Sequence, residues 1–167
     1  MPDIDFFTRS EIKRSIDRIQ QLQDSGIFHL DNSGSPLVKS AFIEVLICLR
    51  DLMYKTEKYD KRIDFDDDIV KTDDIKDITD TIKYVRDALC HLNSDNHYIE
   101  KNCLASYNIV YGKGQMLNIG DSGQSSDYDD DVCFFFGAQK IYLVRHIVRA
   151  FGEAKKKLLP LIGQRIE

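Results

Sequence analysis

Arg86 and His91 are the two residues of this sequence whose types and spacing best suit chemistry on a phosphate. They stand five positions apart in the segment YVRDALCHLN, residues 84–93, which is predicted to end a helix. A guanidinium is a fixed cation that can bind a phosphate, and an imidazole can move a proton near neutral pH. Together the two groups could cleave a phosphodiester without a metal ion.

The helix that carries this pair is predicted to be amphipathic. Successive residues of an α-helix are rotated by about 100°, so its apolar residues fall on one arc that must face a core. That arc contains Ile75, Ile78, Ile82, Val85, Ala88, Leu89 and Leu92. Arg86 and His91 would lie about 140° apart, yet both border one polar stripe, which a second subunit could complete.

The residues around the pair allow two interpretations. At the end of the helix, the helix dipole favours a protonated His91 and hence a general-acid role. Alternatively, Arg86 is a surface residue paired with an aspartate and His91 caps the last carbonyls. Asp87 could orient the guanidinium or imidazole, or be a solvated charge. Asn93 and Ser94 could orient the phosphate, or cap the helix.

No metal ion or other cofactor is expected. Cys90, His91, His97 and Cys103 do not have the spacing of a common zinc finger. The acidic segment 60–74 lacks the glycine and the closing glutamate of a calcium loop. The segment Gly112-Lys113-Gly114 lacks the spacing of a phosphate loop and is predicted to be a turn.

Composition predicts one ordinary domain over residues 1–167. Hydrophobic residues make up 43% and charged residues 31% of the chain, and no apolar run is long enough for a membrane helix. Because the first residues carry no basic and apolar leader, we expect a cytoplasmic protein that does not contact a membrane. The net charge of −5 argues against broad electrostatic coating of nucleic acid. The cysteines are expected to be free thiols, because they have no paired spacing: Cys48, Cys90, Cys103 and Cys133.

Apolar periodicity predicts a mainly α fold. Helices are expected over residues 8–25, 37–59, 72–92 and 139–159. Strands are expected over residues 104–111 and 115–119, paired as a hairpin, and over 132–136. Residues 121–131 are predicted to form a mobile loop. We therefore expect a bundle of four to five helices with a small β-hairpin or three-stranded sheet inserted at 105–137.

Two further groups of residues could serve a ligand or the fold. Phe134, Phe135 and Phe136 could stack on bases, but consecutive apolar residues in a strand fit burial on both faces better. His146, beside Arg145 and Arg149 on the last predicted helix, could contact phosphates; a solvated helix face is the preferred interpretation.

Four helices with an Arg-x4-His element on the third resemble the HEPN superfamily (higher eukaryotes and prokaryotes nucleotide-binding domains). In that family, Arg, a polar residue and then His after four to six intervening residues mark metal-independent ribonucleases. Residues 86–91 match this pattern, with Asp87 in the polar position. The resemblance covers about residues 8–92 and 139–159, and the strands between them depart from the family.

The resemblance implies a metal-independent endoribonuclease that acts on RNA as a homodimer, in which Arg86 and His91 are catalytic. It also implies a toxin or antiphage effector, with an antitoxin or nucleotidyltransferase as a possible partner. The tyrosine that such a transferase modifies in some relatives is replaced here by Asn93. The alternative is a noncatalytic HEPN-like dimerisation or nucleotide-binding module serving a partner enzyme, which the acidic charge and the inserted hairpin favour modestly.

Overall fold

The computed structural model describes residues 4–91, 95–100, 103–119 and 122–163, and in these residues the fold is mixed α/β. They form two compact units: one from the Met1–Asp64 and Arg149–Glu167 segments, the other from Phe65–Val148. The four α-helices are α1 (Phe6–Asp24), α2 (Leu37–Tyr59), α3 (Ile78–Cys90) and α4 (Arg149–Leu161). The prediction of a mainly α, HEPN-like bundle is wrong, because strands that pair with one another make up much of the second unit.

Seven strands occur in the described residues. They are β1 (Tyr98–Glu100), β2 (Cys103–Leu104), β3 (Asn108–Tyr111), β4 (Gly114–Ile119), β5 (Ser122–Ser126), β6 (Val132–Phe136) and β7 (Gln139–Tyr142). Short 3-10 helices span Leu30–Asn32 and Asp95–His97, and a π-helix spans Leu143–Val148. None of the helices described is both long enough and apolar enough to cross a membrane.

The first unit is built around α2, which contacts both α1 and α4. The α1 and α2 helices are antiparallel, because Lys55 bonds Glu11, Ser15 bonds Asp51, and Arg18 bonds Glu44. The sequence predicts the α2 bounds correctly. Helix α1 begins two residues before the predicted start, because Asp5 accepts from the backbone N–H groups of Phe7 and Thr8. The buried side chains of α1 recur at helical spacing: Ile12, Ile16 and Ile19.

The second unit contains three small antiparallel sheets, ordered β1-β2, β3-β6-β7 and β4-β5. One face of the central sheet holds a core of Cys133, Phe135 and Tyr142, against which Val110 and Tyr128 pack. The predicted pairing of β3 with β4 is wrong: β3 pairs with β6 and β4 pairs with β5. Part of the predicted loop 121–131 is therefore strand. The whole Phe134–Phe136 run is buried, as predicted.

Helix α3 is shorter than the predicted 72–92. Its first turn begins after Asp77, whose carboxylate accepts from the Asp80 N–H. Upstream, Thr72 accepts from the Ile75 N–H through its hydroxyl and forms a separate turn. Most of the predicted apolar arc is buried, namely Ile75, Ile78, Ile82, Val85 and Ala88. Leu89 is half-buried and Leu92 lies outside the described residues, whereas Thr79 and Thr81 are buried without having been predicted.

The predicted helix 139–159 is also wrong at its start. Residues 139–142 form β7, which pairs with β6, and the chain then passes through the π-helix into α4. Asp131 determines where this helical segment begins: its carboxylate accepts from the backbone N–H groups of Val144 and Arg145 at 2.8 and 3.0 Å. A carboxylate in this position satisfies donors that have no partner within the helix.

Candidate functional site

The C-terminal turn of α3 holds Arg86 and Asp87 together at the surface. An Arg86 guanidinium nitrogen lies 2.8 Å from a carboxylate oxygen of Asp87, and 32% of the Arg86 side chain is exposed. Arg86 follows Val85 of the buried arc and is half-buried as a residue, so part of its side chain is accessible to solvent. The carboxylate leaves guanidinium donors free for a further oxyanion, because a guanidinium has five N–H groups.

His91 follows the last residue of α3, and its side chain is exposed. Its backbone is extended and its N–H donates to the carbonyls of Asp87 and Ala88 at 3.0 and 3.3 Å. Asp87 is therefore linked to both predicted catalytic residues, to Arg86 by its side chain and to His91 by its backbone. Within the described residues, the Arg86 guanidinium and the His91 imidazole make no hydrogen bond to each other.

His97 fixes the backbone from which the His91 side chain projects. Its Nε2 lies 3.1 Å from the His91 carbonyl oxygen, which can only accept, so Nε2 carries the proton. The His97 ring is buried and packs against Phe136 at a centroid distance of 4.8 Å, and the Ala105 N–H donates to the His97 carbonyl. From the sequence, His97 is considered only as a possible zinc ligand. Its role as a backbone anchor is missed, because no pattern near His97 in the sequence indicates that it contacts the His91 carbonyl.

Two of the predicted supporting residues, Asn93 and Ser94, lie outside the described residues. Cys90, between Asp87 and His91, is exposed. In the described part of the chain, no three His, Cys, Asp or Glu side chains are grouped so that they could hold a metal ion.

A second cluster of charged and aromatic side chains surrounds the π-helix. Arg145 binds Asp130 and Asp131 at 2.9 and 3.1 Å, and its guanidinium stacks 3.6 Å from the centre of the Tyr128 ring. The Tyr128 hydroxyl donates to Asp68 at 2.8 Å, and this hydrogen bond raises the pKa of Tyr128. Each charged group already has partners inside the unit, so this cluster stabilises the fold.

His146 is fully buried within the second unit, so the interpretation of a solvated helix face is wrong for it. Its Nδ1 accepts from the Tyr142 N–H at 3.2 Å, and its Nε2 donates to the Asp67 carbonyl at 2.9 Å. Burial lowers the pKa of His146, and both ring nitrogens are used when the ring is neutral. His146 is therefore not available to contact phosphates.

A third group of polar side chains, on β7 and beside it, is also satisfied internally. Lys140 binds Asp127 at 2.6 Å, and the Tyr142 hydroxyl donates to the same carboxylate at 3.1 Å. The hydrogen bond from Lys140 lowers the pKa of Asp127, whereas burial raises the pKa of the Cys133 thiol to about 12. A thiol with this pKa is a poor nucleophile at neutral pH. The end of α3 thus differs from these clusters in presenting both a cation and an imidazole to solvent.

Comparison of the chain with protein-family models, with curated proteins and with solved structures gives no match.

Proposed function

We propose that this protein is a metal-independent endoribonuclease in which Arg86 and His91 act on the scissile phosphate. The observation that carries the proposal is the arrangement at the end of α3. Both side chains are accessible to solvent, Asp87 fixes the guanidinium, and His97 anchors the backbone of His91. The other ionisable clusters described in the second unit are occupied by internal partners.

The reaction follows from the chemistry of the two groups. The 2′-hydroxyl of RNA attacks the adjacent phosphorus, and the bond from phosphorus to the 5′-oxygen breaks. The Arg86 guanidinium stabilises the charge that develops on the phosphoryl oxygens. An imidazole removes the 2′-proton, and an imidazolium donates a proton to the leaving 5′-oxygen. The products are a 2′,3′-cyclic phosphate and a 5′-hydroxyl.

Two proton transfers at opposite sides of phosphorus are served best by two imidazoles. We propose that the second is His91 of another copy of the chain, so that the active form is a homodimer. In a cell, uncontrolled cutting of RNA would suit a toxin or an antiphage effector, held inactive by an antitoxin or another partner. DNA lacks the nucleophile and should not be cut.

The test is cleavage of a mixed single-stranded RNA pool by purified protein in the presence of a chelator, with the new ends identified. We expect cyclic phosphate ends from the wild-type protein. Arg86→Ala and His91→Ala should each lose at least about a hundred-fold in rate, because general acid–base and oxyanion stabilisation each supply factors of this size. Lys83→Ala is the matched control, since Lys83 is an exposed cation one turn before Arg86. Full activity of either site variant would overturn the proposal.

One observation favours a second candidate, a noncatalytic module that binds a nucleotide for a partner enzyme. The Arg86 guanidinium is accessible beside Asp87 but, within the described residues, makes no hydrogen bond to the His91 imidazole, so it could bind a nucleotide phosphate without an imidazole placed to move a proton. Intact RNA with chelator or with added Mg²⁺, together with nucleotide binding that Arg86→Ala weakens, would support the module. Cleavage that depends on Mg²⁺ would support a metal mechanism instead.

A further inference from the structure

The exposed face of α1 combines two features that recognise single-stranded nucleic acid. Phe6 and Phe7 begin the helix, are each 77% exposed, and pack edge to face with their ring centres 5.8 Å apart. Exposed aromatic rings at adjacent positions are costly in water and offer flat surfaces on which bases can stack. Neither ring belongs to the buried face of α1, so the core does not explain them.

The same face continues into an open groove of about 650 Å³ in the first unit. Lys13 stands seven residues beyond Phe6 and Arg14 seven beyond Phe7, each about 20° from that ring around the helix, and Arg18 follows one turn after Arg14. All three cations line the groove, together with the carboxylates of Asp17 and Glu44. The charged lining therefore has a net positive charge, although the whole chain has a net charge of −5.

The cations of this groove differ in how they are held. Arg18 binds Glu44 at 3.1 Å across α1 and α2, which fixes one wall of the groove. Within the described chain, Lys13 and Arg14 are exposed and make no ion pair. They could therefore neutralise phosphates without first breaking an internal contact.

We propose that α1 is a docking surface for single-stranded RNA, on which Phe6 and Phe7 stack with bases while Lys13 and Arg14 bind the backbone phosphates. Stacking needs unpaired bases, so a duplex cannot use the aromatic part of the surface. The inference rests on the proposed function for its choice of RNA, but it assigns binding to residues that take no part in the chemistry.

The experiment measures binding by fluorescence anisotropy of a labelled twelve-nucleotide RNA of mixed sequence, using the His91→Ala protein so that the RNA is not consumed. We expect Phe6→Ala with Phe7→Ala to weaken binding at least five-fold. The Phe6→Tyr with Phe7→Tyr protein keeps the rings and should bind within two-fold of the parent. Thermal unfolding of each variant checks that these exposed substitutions leave the fold intact.

The salt dependence of RNA affinity tests the proposed phosphate contacts separately from the stacking. Lys13→Ser with Arg14→Ser should weaken binding and lower the slope of log affinity against log salt by about 0.7 for each phosphate that is no longer neutralised. The charge-matched control is Lys113→Ser with Lys156→Ser, which removes two exposed cations elsewhere. That control should reduce the affinity no more than two-fold.

Several results would overturn the inference. They are unchanged binding in the Phe6→Ala, Phe7→Ala protein, an equal reduction of affinity in the charge-matched control, and binding of a duplex as tight as that of the single strand. Because the assay reads binding alone, it is independent of cleavage. If the α1 variants lose affinity as expected but the wild-type protein cuts no RNA, the docking surface is supported and only the proposed ribonuclease activity is rejected.

Discussion

Asp87 is the residue on which the geometry of the α3 site depends most. Its carboxylate holds the Arg86 guanidinium and its carbonyl accepts from the His91 N–H. A guanidinium held in one orientation stabilises a developing charge better than a mobile one, because less reorganisation is needed during the reaction. We therefore expect Asp87 to act as a positioning residue for Arg86.

Asp87→Ala should lower the catalytic efficiency of RNA cleavage about ten-fold while the cyclic phosphate product is unchanged. Asp73→Ala removes an exposed carboxylate from the segment before α3 and should have little effect. Initial rates over a range of RNA concentrations give kcat and KM for both. An Asp87→Ala protein with full efficiency would show that the ion pair does not position the guanidinium.

At the residue scale, the sequence indicates the side chains of the proposed site but not the contacts that anchor them. Arg86, Asp87 and His91 are visible because their types and spacing carry chemistry. The contact from His97 to the His91 carbonyl is not visible, because it depends on a 3-10 helix and on packing against Phe136 in β6. Nothing near His97 in the sequence indicates either partner.

At the scale of the secondary-structure elements, Asp131 caps the π-helix from a different part of the chain. Its side chain is fully buried and accepts from two N–H groups of that helix and from Arg145. Asp131→Ala leaves those donors without acceptors and should lower the free energy of unfolding by about 3 kcal/mol. Asp129→Ala, at an exposed neighbouring position, should change it by less than about 0.5 kcal/mol.

Urea unfolding followed by circular dichroism measures both changes. If Asp131→Ala lowers the free energy of unfolding no more than Asp129→Ala does, the capping contacts contribute little to stability.

His146 makes the π-helix region sensitive to acid. Because burial lowers its pKa, the folded protein resists protonating this ring, whereas the unfolded chain accepts a proton near the ordinary value of 6.5. The unfolded state therefore binds more protons as the pH falls below about 6.5, and the stability that the neutral ring contributes is lost progressively. That contribution is fully present above this value.

His146→Gln should reduce this acid sensitivity, because an amide can accept from the Tyr142 N–H and donate to the Asp67 carbonyl without titrating near neutral pH. Unfolding midpoints of both proteins between about pH 7.5 and 5.5 provide the measurement. We expect the wild-type midpoint to fall more steeply than that of the variant. Parallel curves would contradict the role given to His146.

The sequence predicts helices more reliably than strand pairing. The α2 helix matches because its apolar period is long and unbroken over 23 residues. The apolar spacing of the β7 residues fits both a helix and a strand, and pairing with β6 decides between them. The β3 strand pairs with β6, more than twenty positions away, and a turn at Gly112 cannot indicate that partner. Capping by Asp131 is equally non-local.

At the scale of the whole molecule, the chain divides its two proposed roles between its two units. The first unit carries the α1 surface with its exposed rings and cations, and the second carries Arg86 and His91. An acidic protein that binds RNA needs a locally positive surface, and the α1 groove supplies one.

The proposed homodimer predicts that cleavage depends on protein concentration. If two copies of His91 are needed, the rate per chain should rise with concentration and level off once the dimer predominates. Light scattering over the same range should give the monomer–dimer transition at the same concentration. A constant rate per chain across a range in which the protein is monomeric would rule out the requirement for a second copy.

The most direct test of the central claim uses a DNA oligonucleotide that contains one ribonucleotide. With chelator present, the wild-type protein should cut once, on the 3′ side of that ribonucleotide, and leave a cyclic phosphate; an all-DNA strand should stay intact. His91→Ala should not cut either strand. Cleavage of the all-DNA strand, or cleavage by His91→Ala at the wild-type rate, would contradict the claim that Arg86 and His91 cleave RNA through its 2′-hydroxyl.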